Sequence, residues 1–183
     1  ESDGSNAMIN VSENSTVTIN GGEFRNVMKG EVIPQFAPYM FTYEKNGKLI
    51  INDGSFYGGW RFNGETTTTD IYGGDFTVSY DGQSFHANST HVLTVYGGTF
   101  SLENGGKLNP ASHLAEGKIV VQDENGSLHV DSLCTIGDKG YDSLMSAIEG
   151  VKDGETIVLK YDVMFTETNR THNSGTWYDG LYY

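Results

Sequence analysis

The chain has 183 residues, of which 24 are acidic and 11 are lysine or arginine, so its formal net charge is −13. Nucleic acids and anionic membrane surfaces bind basic stripes or segments, so this charge argues against both as partners. With 24 glycines, 3 prolines and 12% aromatic residues, the composition favours many short strands joined by glycine turns over a helical protein.

Four segments of the chain repeat one pattern, in which an alternating apolar stretch runs into a glycine turn and a phenylalanine. They are VTINGGEF (17–24), LIINDGSF (49–56), TDIYGGDF (69–76) and LTVYGGTF (93–100). The glycine two residues before the phenylalanine recurs at intervals of 32, 20 and 24 residues, which is the range of solenoid repeats. We therefore predict an all-β fold in which successive repeats stack as coils of a parallel β-helix, or β-solenoid.

Two sets of apolar positions in these repeats are predicted to lie inside the fold, because side chains two apart on a strand share one face. The alternate apolar positions are Val17, Ile19, Leu49, Ile51, Ile71, Leu93 and Val95, interrupted by Thr69. The phenylalanines are Phe24, Phe56, Phe76 and Phe100. We expect the latter to form an internal aromatic ladder at the ~4.8 Å spacing of neighbouring strands. An antiparallel sandwich with hairpin turns is the alternative to this parallel stack. A leucine-rich repeat is not supported, because its L-x-x-L-x-L frame is absent.

The chain before the second repeat carries two further predictions. Asn6 to Glu23 is expected to form two short strands around a Glu13-Asn14-Ser15 turn. The stretch between Phe24 and Leu49 is longer than the other intervals and holds two of the three prolines. It is either a loop over the side of the stack or an extra pair of strands that ends at the Asn46-Gly47 turn.

A glycine-rich corner after the second repeat supplies the candidate ligand-binding residues. Tyr57, Trp60 and Arg61 place amphipathic aromatic rings beside a cation, an arrangement able to stack on a sugar ring. Packing of the two aromatic rings against the corner is the alternative interpretation. Trp177 and Tyr178 form a second candidate of the same kind near the end of the chain.

The repeat pattern decays after Phe100, where residues 101–117 hold polar turns and one possible helical turn in PASHLAEG. Residues 118–130 then alternate around Asn125-Gly126, which is a strong hairpin signal. We therefore divide the chain into β-helix coils over 1–117, a hairpin over 118–132 and a helix-containing terminal or next-module segment over 133–183.

The last segment contains the one convincing helix pattern of the sequence, over Tyr141–Val151. Asp142 or Ser143 can cap it, and Asp153-Gly154 follows its end. Its apolar face comprises Leu144, Ala147, Ile148 and Val151. A strand over 155–160 is predicted to follow. The single cysteine, Cys134, has no intrachain disulfide partner and is expected to be a buried, inert thiol.

The second half of the chain resembles a recurring segment of large surface proteins of gut Firmicutes. The resemblance lies in GGTFSLENGGKLNPASHLAEGKIVVQDENGSLHV followed by CTIGDKGYDSLMSAIEGVKDGETIVLKYDV, and the wider pattern covers about residues 15–165. The matching positions are Gly137-Asp138, Tyr141, Leu144, Ala147-Ile148, Asp153-Gly154, Thr156-Ile157 and Leu159. This family implies a pectate-lyase-like right-handed parallel β-helix with a short capping helix and a hairpin. The helix either caps the first stack or begins a second one, since open solenoid ends need covering.

Sites for chemistry are sparse in the sequence, and no catalytic residue is assigned. Glu23 and Asp75 fall in one column of the aligned repeats, two coils or ~9.6 Å apart, close to the upper end of the range that glycoside cleavage uses for paired carboxyls. Asp70, Asp75 and Asp81, with Arg61 as a base, are candidates for a lyase-type calcium site, although no dense calcium loop occurs. The five histidines (His86, His91, His113, His129 and His172) show no metal-ligand spacing. No metal or cofactor is predicted beyond this tentative calcium.

Three functions are compatible with these features, and the first is preferred. It is a non-enzymatic extracellular module of a bacterial cell surface, an adhesin or stalk segment that binds a glycan or a host surface protein. It would be cut from a longer chain with neighbouring modules, and no apolar run approaches the ~18 residues of a membrane span. The alternatives are a polysaccharide lyase or glycoside hydrolase on the same scaffold, and a self-assembling piece whose open ends stack chain on chain.

Overall fold

The computed structural model describes residues 8–25, 40–58, 61–62, 66–78, 86–87, 90–102, 109–163, 171–173 and 176–178. The chain divides into two compact units, Glu1–Ser132 and Leu133–Tyr183. Both are built mainly from β-strands, so the predicted all-β class is confirmed. Each unit is described by itself.

The first unit contains twelve of the described strands and one short 3-10 helix, Pro110–His113. The strands are β1 Ile9–Val11, β2 Thr16–Arg25, β3 Phe41–Tyr43, β4 Lys48–Tyr57, β5 Arg61–Phe62, β6 Thr67–Ile71, β7 Asp75–Val78, β8 His86–Ala87, β9 His91–Val95, β10 Gly98–Leu102, β11 Ile119–Gln122 and β12 Leu128–Asp131. The 3-10 helix lies in the PASHLAEG stretch, where a helical turn is expected.

The four repeats pair in parallel and in the predicted register. Before the glycine turn, Leu49 of β4 aligns with Val17 of β2 and with Thr69 of β6, which in turn aligns with Leu93 of β9. After the turn, β4, β7 and β10 pair in parallel as well. An antiparallel sandwich is therefore wrong for these segments, because hairpin turns would have paired neighbouring repeats in opposite directions.

Most of the core of this unit comes from the side chains predicted to face inward, and Val11, Met40, Phe41 and Val130 complete it. Leu49, Ile51, Ile71, Val95 and three of the four phenylalanines are almost completely buried. The rings stack as an unbroken ladder, with centroids 5.0 Å apart for Phe24 and Phe56, 5.1 Å for Phe56 and Phe76, and 4.9 Å for Phe76 and Phe100. Their planes differ by at most 11°, so the internal aromatic ladder is confirmed.

Thr69, which interrupts the apolar column, belongs to a buried polar network. Its hydroxyl lies 3.1 Å from Nε2 of His91 and 2.7 Å from the hydroxyl of Tyr43. The other ring nitrogen of His91 lies 2.6 Å from the hydroxyl of Thr67. Thr67, Thr69 and His91 are all buried. A threonine therefore fits this inward position because a histidine of the next strand needs a hydrogen-bond partner there.

The glycine turns permit the repeats to lie close together. Gly98 has φ +115°, a conformation that residues with a Cβ rarely adopt. Its neighbour Gly97 is needed for a different reason, because a Cβ there would overlap the carbonyl oxygen of Tyr72 in the preceding repeat. Gly98 is thus needed for its backbone conformation, and Gly97 is needed because there is no space for a side chain.

The predicted hairpin is present and adds two antiparallel strands to the same sheet. β11 pairs with β12, and β12 pairs with β10, so that His129 lies opposite Thr99. In the turn, Gly126 adopts φ +86°, and a carboxylate oxygen of Asp123 accepts hydrogen bonds from the backbone of Asn125 and Ser127. The hairpin therefore continues the stack of repeats and belongs to the first unit.

Two smaller strand pairs accompany this sheet. β1 pairs in parallel with β3, and the Asn14 turn after β1 has the positive φ (53°) that asparagine tolerates. β5 pairs in parallel with β8. Residues 26–39 of the long insertion lie outside the described residues. Its described end contains β3, whose described pairing is with β1 of the preceding segment.

The second unit contains a small antiparallel sheet and one helix among its described residues. Its elements are β13 Cys134–Ile136, β14 Lys139–Tyr141, α1 Leu144–Gly150, β15 Ile157–Leu159, β16 Thr171–Asn173 and β17 Thr176–Tyr178. β13 lies between β14 and β15, and β16 pairs with β17. The core comprises Cys134, Ile136, Tyr141 and Ala147. Burial raises the pKa of the Cys134 thiol, as expected for an inert cysteine.

The helix is shorter than the sequence pattern predicts. It begins at Leu144 because Ser143 is its N-cap, where the side chain accepts a hydrogen bond of 3.2 Å from the backbone N–H of Ser146. The start at Tyr141 is wrong, since Tyr141 pairs with Cys134 at the end of β14. The predicted strand over 155–160 is confirmed in part, as β15 covers its centre.

Candidate ligand-binding face

The most developed surface feature is a row of side chains at the fourth position of each repeat, which we name the outer ladder (Asn20, Asn52, Tyr72 and Tyr96). Parallel pairing brings these residues side by side, since the backbone N–H of Tyr72 bonds to Ile51 and that of Tyr96 to Ile71 of the preceding repeat. The row lies on the side of the sheet opposite to the buried Ile71 column.

The rungs of the outer ladder contact each other in two pairs, Asn20 with Asn52 and Tyr72 with Tyr96. The amide of Asn52 donates a hydrogen bond of 2.6 Å to the side-chain oxygen of Asn20. The rings of Tyr72 and Tyr96 stack with centroids 4.5 Å apart and planes 10° apart. Tyr72 remains 50% exposed. The ladder therefore presents two amides and an aromatic pair to solvent at the spacing of the strands.

An ion pair lies beside the outer ladder. Nζ of Lys48 is 2.8 Å from a carboxylate oxygen of Asp70, on strands β4 and β6. The hydrogen bond to Asp70 and the negative charge of that carboxylate raise the pKa of Lys48. Burial raises the pKa of the Tyr96 phenol, and the nearby Tyr72 and Asp70 add to the effect. The raised pKa keeps the Tyr96 phenol protonated at pH 7, and the Lys48–Asp70 pair carries no net charge.

A second outward surface follows the glycine turns. Glu23, Ser55, Asp75 and Thr99 align across β2, β4, β7 and β10, so the predicted carboxylate column is confirmed as a register. Both carboxylates are exposed, and Glu23 is paired with Arg25. This arrangement leaves both carboxylates of the column open to solvent.

A histidine continues this column in a way that the sequence did not reveal. Nδ1 of His129 lies 3.3 Å from the hydroxyl of Thr99, and its Nε2 lies 3.1 Å from a carboxylate oxygen of Asp123. The order hydroxyl, imidazole and carboxylate is that of a nucleophilic triad. Here Asp123 also accepts hydrogen bonds from the backbone of the turn. Its pKa is lowered, and the hydrogen bond from His129 is the largest cause. The cluster therefore supports the hairpin, and sequence spacing gave no signal for it.

The structure places the predicted ligand-binding residues on separate strands. Tyr57 ends β4, and the guanidinium carbon of Arg25 lies 5.3 Å from its ring centroid, so its described cationic neighbour is Arg25. Trp60 lies outside the described residues. Arg61 pairs with His86 in the backbone of β5 and β8.

The second candidate group lies on the last strand. Trp177 pairs with His172 and Tyr178 with Thr171 in the backbone of β16 and β17. These assignments concern the main chain, and a role of Trp177 and Tyr178 in ligand binding stays a prediction.

Of the residues suggested for calcium, Asp70 and Asp75 are described and lie on different strands, β6 and β7. Asp70 is paired with Lys48, Asp75 lies beyond the next glycine turn, and Asp81 is outside the described residues. Within the part of the chain that the structure describes, no group of three or more His, Cys, Asp or Glu side chains is arranged to hold a metal ion.

No model of a known protein family matches the chain, and no curated protein or solved structure matches it either. Among the helices of the described residues, none has both the length and the apolar character needed to cross a bilayer. The site must therefore be interpreted from its own geometry.

The outer ladder is the feature that sequence reasoning missed. Its signal was present, because Asn20, Asn52, Tyr72 and Tyr96 share one position in the aligned repeats. Spacing alone does not show that this position faces solvent, because that depends on the pairing of distant strands.

Proposed function

We propose that the chain is a non-enzymatic module of a bacterial cell surface, an adhesin or stalk segment exposed outside the cell. In this proposal the first unit is part of a right-handed parallel β-helix of the kind found in the GGTFS-repeat surface proteins of gut Firmicutes. The observation that carries the proposal is the parallel, in-register pairing of the four repeats over one continuous phenylalanine ladder. Such a stack is a stiff spacer with long outward faces for binding.

The outward faces support binding better than catalysis. The carboxylates of Glu23 and Asp75 are exposed and lie two strands apart. Regular strand spacing separates them by ~9.6 Å, which is too far for a retaining hydrolase and close to the upper end of the range for an inverting one. Glu23 is already neutralised by Arg25. A polysaccharide lyase or glycoside hydrolase is the alternative, and the carboxylate column is the observation in its favour.

A glycan-array screen of the purified chain, with and without calcium, tests the proposal. The same incubations are assayed for unsaturated or newly reducing sugar ends. We expect retention of one or more glycans, or of none for a pure spacer, with no product in either case. Release of product that is lost in a Glu23→Gln or Asp75→Asn variant would contradict a non-enzymatic module and favour the hydrolase or lyase.

A further inference from the structure

We propose that the outer ladder binds a neutral polysaccharide in an extended conformation, with the polymer running along the stack and across the strands. This inference rests on the proposed surface module and adds to it a site and a ligand class. The first argument is periodicity. The residues just before the rungs are in parallel register from strand to strand, as Ile51 with Ile19, Ile71 with Ile51 and Val95 with Ile71. The rungs therefore follow one another at about the 4.8 Å strand spacing, and the Tyr72 and Tyr96 rings lie 4.5 Å apart.

An extended β-1,4-linked sugar chain advances by nearly the same distance for each ring. A ladder of this pitch can therefore offer one polar side chain to each successive sugar. A peptide strand advances by only about 3.3 Å per residue and would fall out of step with the rungs. Helical glucans such as amylose have no straight face to lay along the row.

The chemistry of the rungs also fits a sugar polymer. The amide of Asn52 and the half-exposed ring of Tyr72 combine hydrogen-bonding groups with an aromatic edge. Because the rings of Tyr72 and Tyr96 cover one another's inner faces, contact is made through edges and hydroxyls. Sugar hydroxyls pair with such groups, whereas a protein partner would require a larger apolar anchor.

Charge selects among the possible polymers. The ladder itself is uncharged, and Lys48 beside it is neutralised by Asp70 at 2.8 Å. The chain carries a net charge of −13, which repels polyuronates and other anionic glycans. The ligand is therefore expected to be neutral.

Affinity gel electrophoresis of the full chain tests the inference. Separate gels contain arabinoxylan, galactomannan or mixed-linkage β-glucan as neutral extended polymers, soluble starch as a helical one, and polygalacturonate as an anionic one. We expect retardation in at least one of the first three gels and none in the last two. Unretarded migration in all three extended polymers, or stronger retardation by starch or polygalacturonate, would overturn the inference.

Variants locate the binding on the ladder. The double substitution Tyr72→Phe with Tyr96→Phe preserves the ring stack and removes two hydroxyls, so affinity should fall about tenfold for two hydrogen bonds of ordinary strength. Asn52→Ala should also weaken retardation. Ser55→Ala, which removes a hydroxyl from the other outward surface, is the matched control and should bind as the native chain does.

The outcomes separate this inference from the proposed function. Unchanged affinity in both the double variant and Asn52→Ala, or an equal loss in Ser55→Ala, would overturn the ladder site while leaving a surface module in place. Sugar product in the glycan screen would overturn the non-enzymatic module while leaving the ladder site testable by retardation. Thermal melting of each variant confirms that affinity is compared between folded proteins.

Discussion

At the scale of single residues, the most informative position is the one where the pattern of the repeats fails. Thr69 replaces an apolar residue in a buried column, and its hydroxyl lies between His91 and Tyr43. Burial of polar groups costs free energy unless each finds a partner. The network therefore makes the fold depend on a histidine that must stay neutral.

The buried histidine predicts an acid sensitivity of the first unit. Burial lowers the pKa of His91 from 6.5 to about 4, and the nearby His113 adds to the effect. Between pH 6.5 and pH 4, His91 is thus protonated in the unfolded chain but not in the folded chain. Stability is fully present above pH 6.5 and is lost as the pH falls toward 4, by about 2 kcal/mol between pH 7 and pH 5.

Urea unfolding of the native chain and of His91→Gln at pH 7 and pH 5 measures this effect. The variant is expected to be less stable at pH 7 but to lose less stability on acidification. His113→Gln serves as the control, because His113 is only partly buried and should contribute a smaller part of the slope. Equal pH slopes in native chain and His91→Gln would show that His91 is not the group responsible.

At the scale of secondary-structure elements, the stack of repeats is held by the phenylalanine ladder. Phe76 is 1% exposed and has stacked rings on both sides, whereas Phe24 stands at one end of the ladder and is only partly buried. The same residue type therefore occupies two environments that differ in packing and in exposure to solvent.

Alanine substitutions should separate these two environments. Phe76→Ala leaves a ring-sized cavity between two aromatic neighbours and should lower the free energy of unfolding by about 3–5 kcal/mol. Phe24→Ala, its matched control, should cost clearly less because part of that ring is already in water. Chemical denaturation compares the two variants. Equal losses would mean that the ladder is not continuous through Phe76.

The elements also show where sequence reasoning succeeds and where it stops. Alternation and the shared glycine position predicted the parallel register, because both depend on local periodicity. The Asn125-Gly126 hairpin was predicted for the same reason. The start of α1 was misplaced, since Tyr141 fits a helical face by spacing but is needed opposite Cys134 in a strand.

At the scale of the whole molecule, the chain forms two units with separate cores. Among the described residues, the first core ends with Val130 and the second begins with Cys134. The two units meet between Ser132 and Leu133. The hairpin at 118–132 belongs to the sheet of the first unit, because β12 pairs with β10. Sequence spacing does not predict which distant strands pair in this way.

The candidate site illustrates the limit of sequence reasoning more sharply. Tyr57, Trp60 and Arg61 are close in sequence, but proximity along a chain does not decide which side chains share a face. Tyr72 and Tyr96 are 24 residues apart and stack at 4.5 Å because their strands pair. Only the register converts such distant residues into one surface.

The phenylalanine ladder and the outer ladder both depend on the register of the repeats, and a cysteine cross-link tests this register most directly. Ser55 and Asp75 are exposed partners on neighbouring strands, whereas Ser55 and Thr99 lie two strands apart. A disulfide requires Cα atoms within about 7 Å, which neighbouring strands satisfy and next-but-one strands do not.

In a Cys134→Ala background, mild oxidation of Ser55→Cys with Asp75→Cys should produce an intramolecular disulfide, seen as the loss of two hydrogens by mass spectrometry. The pair Ser55→Cys with Thr99→Cys should remain reduced under the same conditions. Cross-linking of the second pair but not the first would contradict the parallel stack of repeats, and with it the outer ladder.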